Sequence, residues 1–558
     1  MNTPKNTQGT PSSLPPLPNV ITALLSPSAY PDYTVTVELI QTHISYVLLT
    51  DSFAYKIKKP VDFGFLDFTT LDKRRHFCTE EVRLNRRLAP GLYLGVVEVR
   101  EQSGSYSIDL ATENGQSDGS TVVEYAVKMK RIPKGVTLEE RIEDGSVTPE
   151  LIRNVGARIA RFHDSEAETS ERISAYGAPE VIKENTDENF SQTESFITAG
   201  IIPEETFNFL KTYTDTFLAE HGDLFRARVT GGFIRDCHGD IHAEHVILPD
   251  KGEIEIFDCI EFSERFRFGD TVSETAFLSM DLDFRGRPDL ATVLEESYFL
   301  KTDDSAQTSG GRALLNFYKT YRAYIRGKVE VLKYNESEVS ETERAEALFN
   351  ARHHFYLAAR YAGNCAGSEC ARPALIIVRG LSGTGKSTVA VKLARLTGAE
   401  LVSSDRVRKE IAGLDASAHS YAPDSEGIYS TDFTERTYAE MERKATEVLA
   451  RGVSCVLDAT YSSRAHIETA REAAQNYDFH IIECTVHEEV AIERIERRAA
   501  KARVPGSTAS DATVDIYRKQ KERFESMGSD TADTKVAKID TSLDECAVFA
   551  SIATEIFG

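Results

Sequence analysis

The chain contains no tryptophan, five methionines and only eight cysteines in 558 residues. It also lacks any apolar run approaching the roughly 20 residues that a membrane helix requires. No basic stretch followed by a hydrophobic one opens the chain, so neither a signal peptide nor an anchor is expected, and the reading is a cytoplasmic protein. The cysteines are scattered. The closest pair, Cys365 and Cys370, has neither zinc-knuckle spacing nor neighbouring histidines, which excludes a zinc ribbon there and argues for free thiols in a reducing compartment. Basic residues are outnumbered, 65 Lys and Arg against 88 Asp and Glu, for a formal charge of −23. That balance opposes a general phosphate-backbone binder, so nucleic acid is not an expected partner.

What is present exceeds one hydrophobic core, since domains ordinarily span about 100 to 250 residues. Residues 1–19 are rich in Pro, Ser, Thr and Asn, with too few apolar side chains to offset ordering entropy, and read as a disordered tail. The Gly, Ser, Ala and Pro run over 363–373 reads as a linker. The expected domains are therefore 20–362 and 374–558.

The most specific stretch is Gly380-Leu381-Ser382-Gly383-Thr384-Gly385-Lys386-Ser387, followed by Thr388. An apolar run, Ala374 to Val378, leads into it and a helical pattern, Val389 to Leu396, leaves it, which is the context of a phosphate-binding P-loop. The glycines let backbone N–H groups curl around phosphate oxygens. Lys386 reaches the β and γ phosphates, and the Ser387 hydroxyl ligates magnesium at a helix N-terminus. Beyond it, strand-like pieces at 400–404, 454–457, 479–485 and 536–539 alternate with helical segments. That alternation predicts an α/β P-loop NTPase domain with a five-stranded parallel sheet covered on both faces. Asp405 then follows a strand's carboxyl end, facing the ligand crevice, and Asp458 occupies a Walker-B-type position as a magnesium ligand. Arg494, Arg497, Arg498 and Arg503, followed by Pro505, Gly506 and Ser507, read as a lid whose arginines close over the transferring phosphate.

The second informative stretch is His238-Gly239-Asp240-Ile241-His242-Ala243-Glu244-His245, with strand-like pieces at 246–248 and 254–257 joined by a Pro-Asp-Lys-Gly turn. A hairpin there carries Asp258 toward Asp240, as a phosphoryl-transfer centre requires: one carboxylate orients an acceptor hydroxyl and another holds magnesium. Upstream, Lys56 and Lys58 share one face of a predicted strand at 52–57 and its end, and a charged helix at 71–88 carries Glu80 and Glu81. Strands at 45–49, 93–99 and 121–129 and a helix at 151–163 complete a pattern of strands first and helices after. A long helical region, 312–361, reads as core packing.

The His-Gly-Asp loop resembles that of the aminoglycoside phosphotransferase family, whose members share the protein-kinase-like α+β fold. The stretches Tyr55-Lys56-Ile57-Lys58-Lys59-Pro60, Leu84-Asn85-Arg86-Arg87-Leu88 and Tyr321-Arg322-Ala323-Tyr324-Ile325-Arg326-Gly327-Lys328 look like a bacterial subgroup of predicted kinases in which this domain precedes a P-loop kinase. The resemblance implies Asp240 as catalytic base, Asp258 as metal-binding aspartate, and Lys56 paired with Glu81 at the nucleotide, with Lys58 and Glu80 as alternatives. The family's loop places Asn five residues after the aspartate for a second magnesium; this chain places His245 there. The C-terminal part is similar to small P-loop kinases, which implies Asp405 as acceptor-hydroxyl base and Arg408, one helical step on, as acceptor-anion clamp. The expected activity is ATP- and Mg2+-dependent phosphoryl transfer to small hydroxylated acceptors at two sites. Two other readings stay open: a P-loop kinase regulated by a catalytically impaired kinase-like sensor, and a nucleic-acid 5′-end kinase.

Overall fold

The computed structural model describes residues 17–110, 119–199, 201–249, 252–302, 304, 309–336, 339–366, 373–397, 399–413, 430–451, 453–501, 513–525 and 536–542. Most of the expected tail, most of the expected linker, and Arg503 with the Pro505 to Ser507 turn fall outside the described residues. The chain divides into two compact units, Met1–Ile173 with Ile234–Gly269, and Ser174–Phe233 with Asp270–Gly558.

The first unit is built on six antiparallel strands: β1 (Glu38–Gln41), β2 (Ser45–Leu49), β3 (Phe53–Lys58), β4 (Tyr93–Gln102), β5 (Ser105–Leu110) and β6 (Thr121–Lys130). Their order is β1-β2-β3-β6-β4-β5. Side chains alternate across a strand, so β3 sends Tyr55 and Ile57 to one face and Lys56 and Lys58 to the other. Tyr55 and Ile57 join a core with Ile21, Leu24, Leu48, Val97 and Val99, drawing the 19–30 segment onto the sheet. The Leu71–Asn85 helix starts at Thr70, whose hydroxyl accepts from the Lys73 N–H. It buries Cys78, Glu81, Val82 and Asn85 along one helical stripe, and Cys78 and Val82 pack with Tyr93 and Val127. Glu81 therefore enters the interior with this stripe, while Glu80, one residue around the turn, stays at the surface and pairs with Arg83 at 2.7 Å.

The same unit carries β7 (Ile234–Asp236), the loop 237–245, and a short hairpin of β8 (Val246–Ile247) and β9 (Glu255–Ile256), registered Val246 to Ile256; β10 (Phe268–Asp270) pairs with β7. The antiparallel sheet, the Leu71–Asn85 helix packed on it and this loop-and-hairpin make the kinase-like α+β fold. Between the expected strands at 93–99 and 121–129 the chain adds β5, because Val97–Leu110 and Val99–Ile108 pairs continue the sheet.

In the second unit the expected 312–361 helical region is two helices, Ser309–Tyr334 and Glu341–Ala366, packed on one another. Its sheet comprises β11 (Ala374–Arg379), β12 (Glu400–Ser403), β13 (Cys455–Asp458), β14 (Asp478–Thr485) and β15 (Val536–Asp540), ordered β12-β13-β11-β14-β15 and parallel throughout. Every residue of β11 is buried. Leu375 and Ile377 pack into one apolar layer and Ala374, Ile376 and Val378 into another, which is how a central strand covered on both faces distributes a continuous apolar run. β13 and β12 lie on one side of β11 and β14 and β15 on the other, so the loop after β11 opens at the switch point where α/β folds bind ligands. Among the described residues no helix is long and apolar enough to cross a membrane.

Candidate active sites

In the first unit the face of β3 turned toward the Leu71–Asn85 helix brings two lysines to one carboxylate. Lys56 Nζ lies 2.9 Å from Glu81 Oε1, and Lys58 Nζ lies 2.7 Å from Oε2. Lys58 also contacts Glu261 and sits 4.8 Å over the Phe68 ring. Burial pushes the Glu81 carboxyl up, but Lys56 and Lys58 outweigh it and hold the group below its ordinary range. Glu261 goes the other way: burial raises it, and Lys58 does not compensate fully. Lys56 extends further out, reaching Asp258 Oδ1 at 2.6 Å. The recess pushes Asp258 up, yet Lys56 and then His245 dominate, and its carboxyl lies well below the usual carboxylate range.

Asp258 adopts a φ of +64°, a left-handed conformation uncommon for a residue with a side chain. Its backbone is held on both sides: its N–H donates to Tyr93 Oη at 3.2 Å, and the next N–H, of Cys259, donates to Asn85 Oδ1 at 2.9 Å. The strained turn is thus tied to the same helix that carries Glu81. His238 braces the loop. Its Nε2–H donates to the Phe257 carbonyl at 3.0 Å while Nδ1 accepts from the Asp240 N–H at 3.3 Å, a tautomer set by a carbonyl that only accepts and an N–H that only donates. Gly239, at φ +90°, has the Phe266 carbonyl 3.0 Å from where a Cβ would stand, so this turn requires glycine. Asp240 is half-buried, with Oδ2 lying 3.6 Å from His242 Nε2 and 3.6 Å from His245 Nδ1. His245 Nε2 lies 3.7 Å from Asp258 Oδ2. Asp240, Asp258, Lys56, Glu81 and His245 therefore form one cluster.

In the second unit the P-loop turns around its glycines. A Cβ on Gly383, at φ +83°, would stand 2.6 Å from the Ala491 carbonyl, so the loop presses directly on the Glu488–Lys501 helix. The Ser382 N–H and hydroxyl both donate to Gln520 Oε1, at 3.0 and 2.8 Å. Thr541 Oγ1 donates to the Thr384 carbonyl at 2.6 Å. Arg494 donates to Thr541 Oγ1 at 3.0 Å and to the Thr541 carbonyl at 2.8 Å, and reaches the Gly383 carbonyl at 3.5 Å. Its guanidinium thus clasps the back of the loop. Arg498 belongs to the same helix.

Lys386 and Ser387 open the Lys386–Thr397 helix. Asp458, at the end of β13, is buried; its carboxyl is raised by burial, while Lys386 and a hydrogen bond from Ser387 pull the other way. Its Oδ1 has no hydrogen-bond partner. A buried, orphaned carboxylate oxygen beside the P-loop serine is what a magnesium site needs. Asp405 is exposed in the first turn of the Ser404–Ile411 helix, and Ser403, not Asp405, holds the N-cap position. The negative charge of Asp405 bears on Asp458. Arg408, one turn on, is half-buried.

Several participants escaped the sequence reading. Glu261 stands three residues after Asp258 and could be noticed only as one more acidic residue. Nothing in the linear pattern gives Asn85, Tyr93, Gln520 or Thr541 a role, because each acts through a contact made by folding. His242, to which the linear pattern gives no role, stands beside Asp240 and His245.

Residues 375–527 match the family model of an AAA domain. The protein Rv2004c of Mycobacterium tuberculosis is 30% identical over 482 residues, covering 86% of this chain and 88% of its own length, and Mb2027c of Mycobacterium bovis matches to the same extent. The chain belongs to the family of these mycobacterial proteins. Among solved structures, a spectinomycin phosphotransferase in complex with ADP and its antibiotic overlaps 61% of this chain and 96% of its own at 12% identity, with a TM-score of 0.33. A sugar kinase from Janibacter sp. HTCC2649 overlaps 33% of this chain and 94% of its own at 17% identity, with a TM-score of 0.26. At these scores the likenesses add nothing to the strand order and site geometry above.

Proposed function

We propose that the protein is an ATP-dependent phosphotransferase with two kinase-type sites, one in a kinase-like domain over 20–362 and one in a P-loop kinase domain over 374–558, each passing the γ-phosphoryl group to a hydroxyl acceptor. The observation that carries the first site is the shared cluster of Lys56, Glu81, Asp240 and Asp258, assembled from four separate stretches of chain. Lys56, held by Glu81, is positioned to take phosphate oxygens once it releases Asp258. Asp240 accepts the acceptor's hydroxyl proton as the new O–P bond forms and the bond to the β-phosphate oxygen breaks, leaving ADP. Magnesium, when bound, neutralises charge on the phosphates; Asp258 and His245 would hold it here, and Ser387 and Asp458 in the P-loop site.

In the P-loop site, Lys386 supplies the cation for the β and γ phosphates and the loop's N–H groups the cradle. Asp405 is the acceptor-hydroxyl base and Arg408 the clamp for an acceptor anion. Arg494 keeps the loop in shape from behind. A second reading makes the kinase-like unit a nucleotide sensor for the P-loop kinase. It is favoured by the buried His245, which replaces an oxygen ligand with an imidazole. ADP formation from ATP and magnesium by the full chain, screened over hydroxylated small molecules, tests the proposal with Asp240→Ala and Lys386→Ala as the two site knockouts. Two acceptor-dependent activities, each lost in one variant, are expected. Activity that survives Asp240→Ala for every acceptor while Lys386→Ala removes it all overturns the first site in favour of the sensor.

A further inference from the structure

The His-Gly-Asp loop carries two imidazoles that phosphoryl transfer does not need. His242 and His245 are both buried, 6% and 8% exposed, with ring centres 3.9 Å apart. Together with Asp240 they form a group of potential ligand atoms all within 4.8 Å of one another. His245 Nδ1 meets the Asp240 carbonyl at 2.9 Å, and because a carbonyl only accepts, that nitrogen carries the proton. The lone pair is therefore on Nε2, which faces Asp258 Oδ2 at 3.7 Å. An imidazole whose distal N–H is spent on a backbone carbonyl is the arrangement that orients a metal-ligating histidine. Asp258 is divided in the same sense: Oδ1 takes Lys56, and Oδ2 is turned to the histidine.

We propose that Asp240, His242 and His245, with Asp258 beside His245 Nε2, form a site for a divalent transition-metal ion of the manganese, cobalt and zinc type, in place of the magnesium otherwise assigned to Asp258 and His245. Metal–nitrogen bonds of about 2.0 to 2.1 Å place neighbouring tetrahedral ligands about 3.3 Å apart. The separations of 3.6 Å from Asp240 Oδ2 to His242 Nε2 and 3.7 Å from His245 Nε2 to Asp258 Oδ2 close to that value with shifts of a few tenths of an ångström. Imidazole nitrogen suits borderline transition ions, whereas magnesium favours an all-oxygen shell. Where a kinase of this type would use two magnesium ions, the His-for-Asn exchange and the nearby His242 convert one of the positions to nitrogen ligation. The inference rests on the proposed phosphotransfer site only for the metal's task, so binding is measured without nucleotide.

The experiment uses the full chain carrying Asp458→Asn, which silences the P-loop metal position, titrated with Co2+ and Mn2+ in the absence of ATP. The expected result is one Co2+ per chain with a visible d–d spectrum, and nitrogen hyperfine coupling on bound Mn2+ in pulsed electron paramagnetic resonance. Mg2+ at equal concentration fails to displace either ion. His245→Asn and His242→Gln each weaken Co2+ binding at least tenfold and reduce the nitrogen coupling, at unchanged far-ultraviolet circular dichroism. Mn2+ bound without nitrogen coupling, or Co2+ affinity that neither variant changes, overturns the site. If a histidine variant loses its fold, the spectrum of the parent protein still decides, since nitrogen coupling is read there directly. Phosphotransfer that fails in every acceptor screen while the nitrogen-ligated ion binds defeats the enzyme reading and leaves the metal site standing.

Discussion

Lys56 and Asp258 are 202 residues apart in the chain and in direct contact, Nζ to Oδ1 at 2.6 Å. The pair closes the kinase-like site upon itself. On the proposed reading, phosphate oxygens compete with Asp258 Oδ1 for Lys56, while Oδ2 of the same carboxylate stays turned to His245.

Asp258→Ala should therefore weaken nucleotide binding at this site by more than tenfold in the presence of divalent metal, and much less in its absence, where freeing Lys56 offsets the loss. Calorimetric titration in a Lys386→Ala background isolates the site. Equal weakening with and without metal would remove Asp258 from the metal shell.

The inner lysine is structural in its energetics. Lys58 is fully buried between Glu81 and Glu261, so Lys58→Met leaves two facing carboxylates without their shared cation. Breaking a buried pair in this way costs about 3 to 5 kcal/mol, and Lys58→Met with Glu261→Gln should recover a large part of it. Urea unfolding midpoints for the two single variants and the double variant measure the coupling.

Lys386→Ala should lower the number of nucleotides bound per chain from two to one with the fold retained, because Lys386 is half-buried at the first position of its helix and belongs to no apolar core. Gly383→Ala should remove the same site by another route: its Cβ meets the Ala491 carbonyl at 2.6 Å, and its φ of +83° is strained for alanine. The second variant should also lower the unfolding temperature. Equal nucleotide stoichiometry in both variants and the parent would contradict the P-loop assignment.

Asp405→Asn distinguishes chemistry from architecture. Ser403 already occupies the N-cap position, and Asp405 lies in the exposed first turn, so asparagine there changes helix stability by only a few tenths of a kcal/mol. Turnover at the P-loop site should fall at least a hundredfold with nucleotide affinity preserved. Unchanged turnover would relieve Asp405 of the role of base.

The second unit should weaken in acid. Burial pushes His353 down to about 3 and His354 well below its ordinary value, and both rings stack on Phe284. A base with a depressed folded-state pKa contributes stability that is complete above its unfolded pKa of about 6.5. It loses that contribution as pH falls, at about 1.4 kcal/mol per pH unit for each group, because the unfolded chain binds the proton and the folded one does not. His354→Gln should flatten the dependence of unfolding free energy on pH between about 4 and 6. A slope identical to the parent's would show that His354 takes up its proton equally readily in the folded and unfolded chain.

The P-loop and its parallel sheet were legible in the linear chain because their determinants are local: an apolar run of strand length, glycines at fixed intervals, then a helical period. The His-Gly-Asp loop and the hairpin to Asp258 were legible for the same reason, as was the shared face of Lys56 and Lys58, which follows from the two-residue period of a strand. Periodicity could not choose between Glu80 and Glu81. They differ by a 100° rotation about a helix, and only packing of the Cys78, Val82 and Asn85 stripe turned Glu81 inward and left Glu80 to Arg83. Tertiary structure also decided that Glu81 serves both lysines, that Glu261 joins them, and that Arg494 grips the P-loop's Gly383 carbonyl. These are contacts between segments tens to hundreds of residues apart, and no spacing rule encodes them, because their energy comes from burial and charge pairing that exist only once the core has closed.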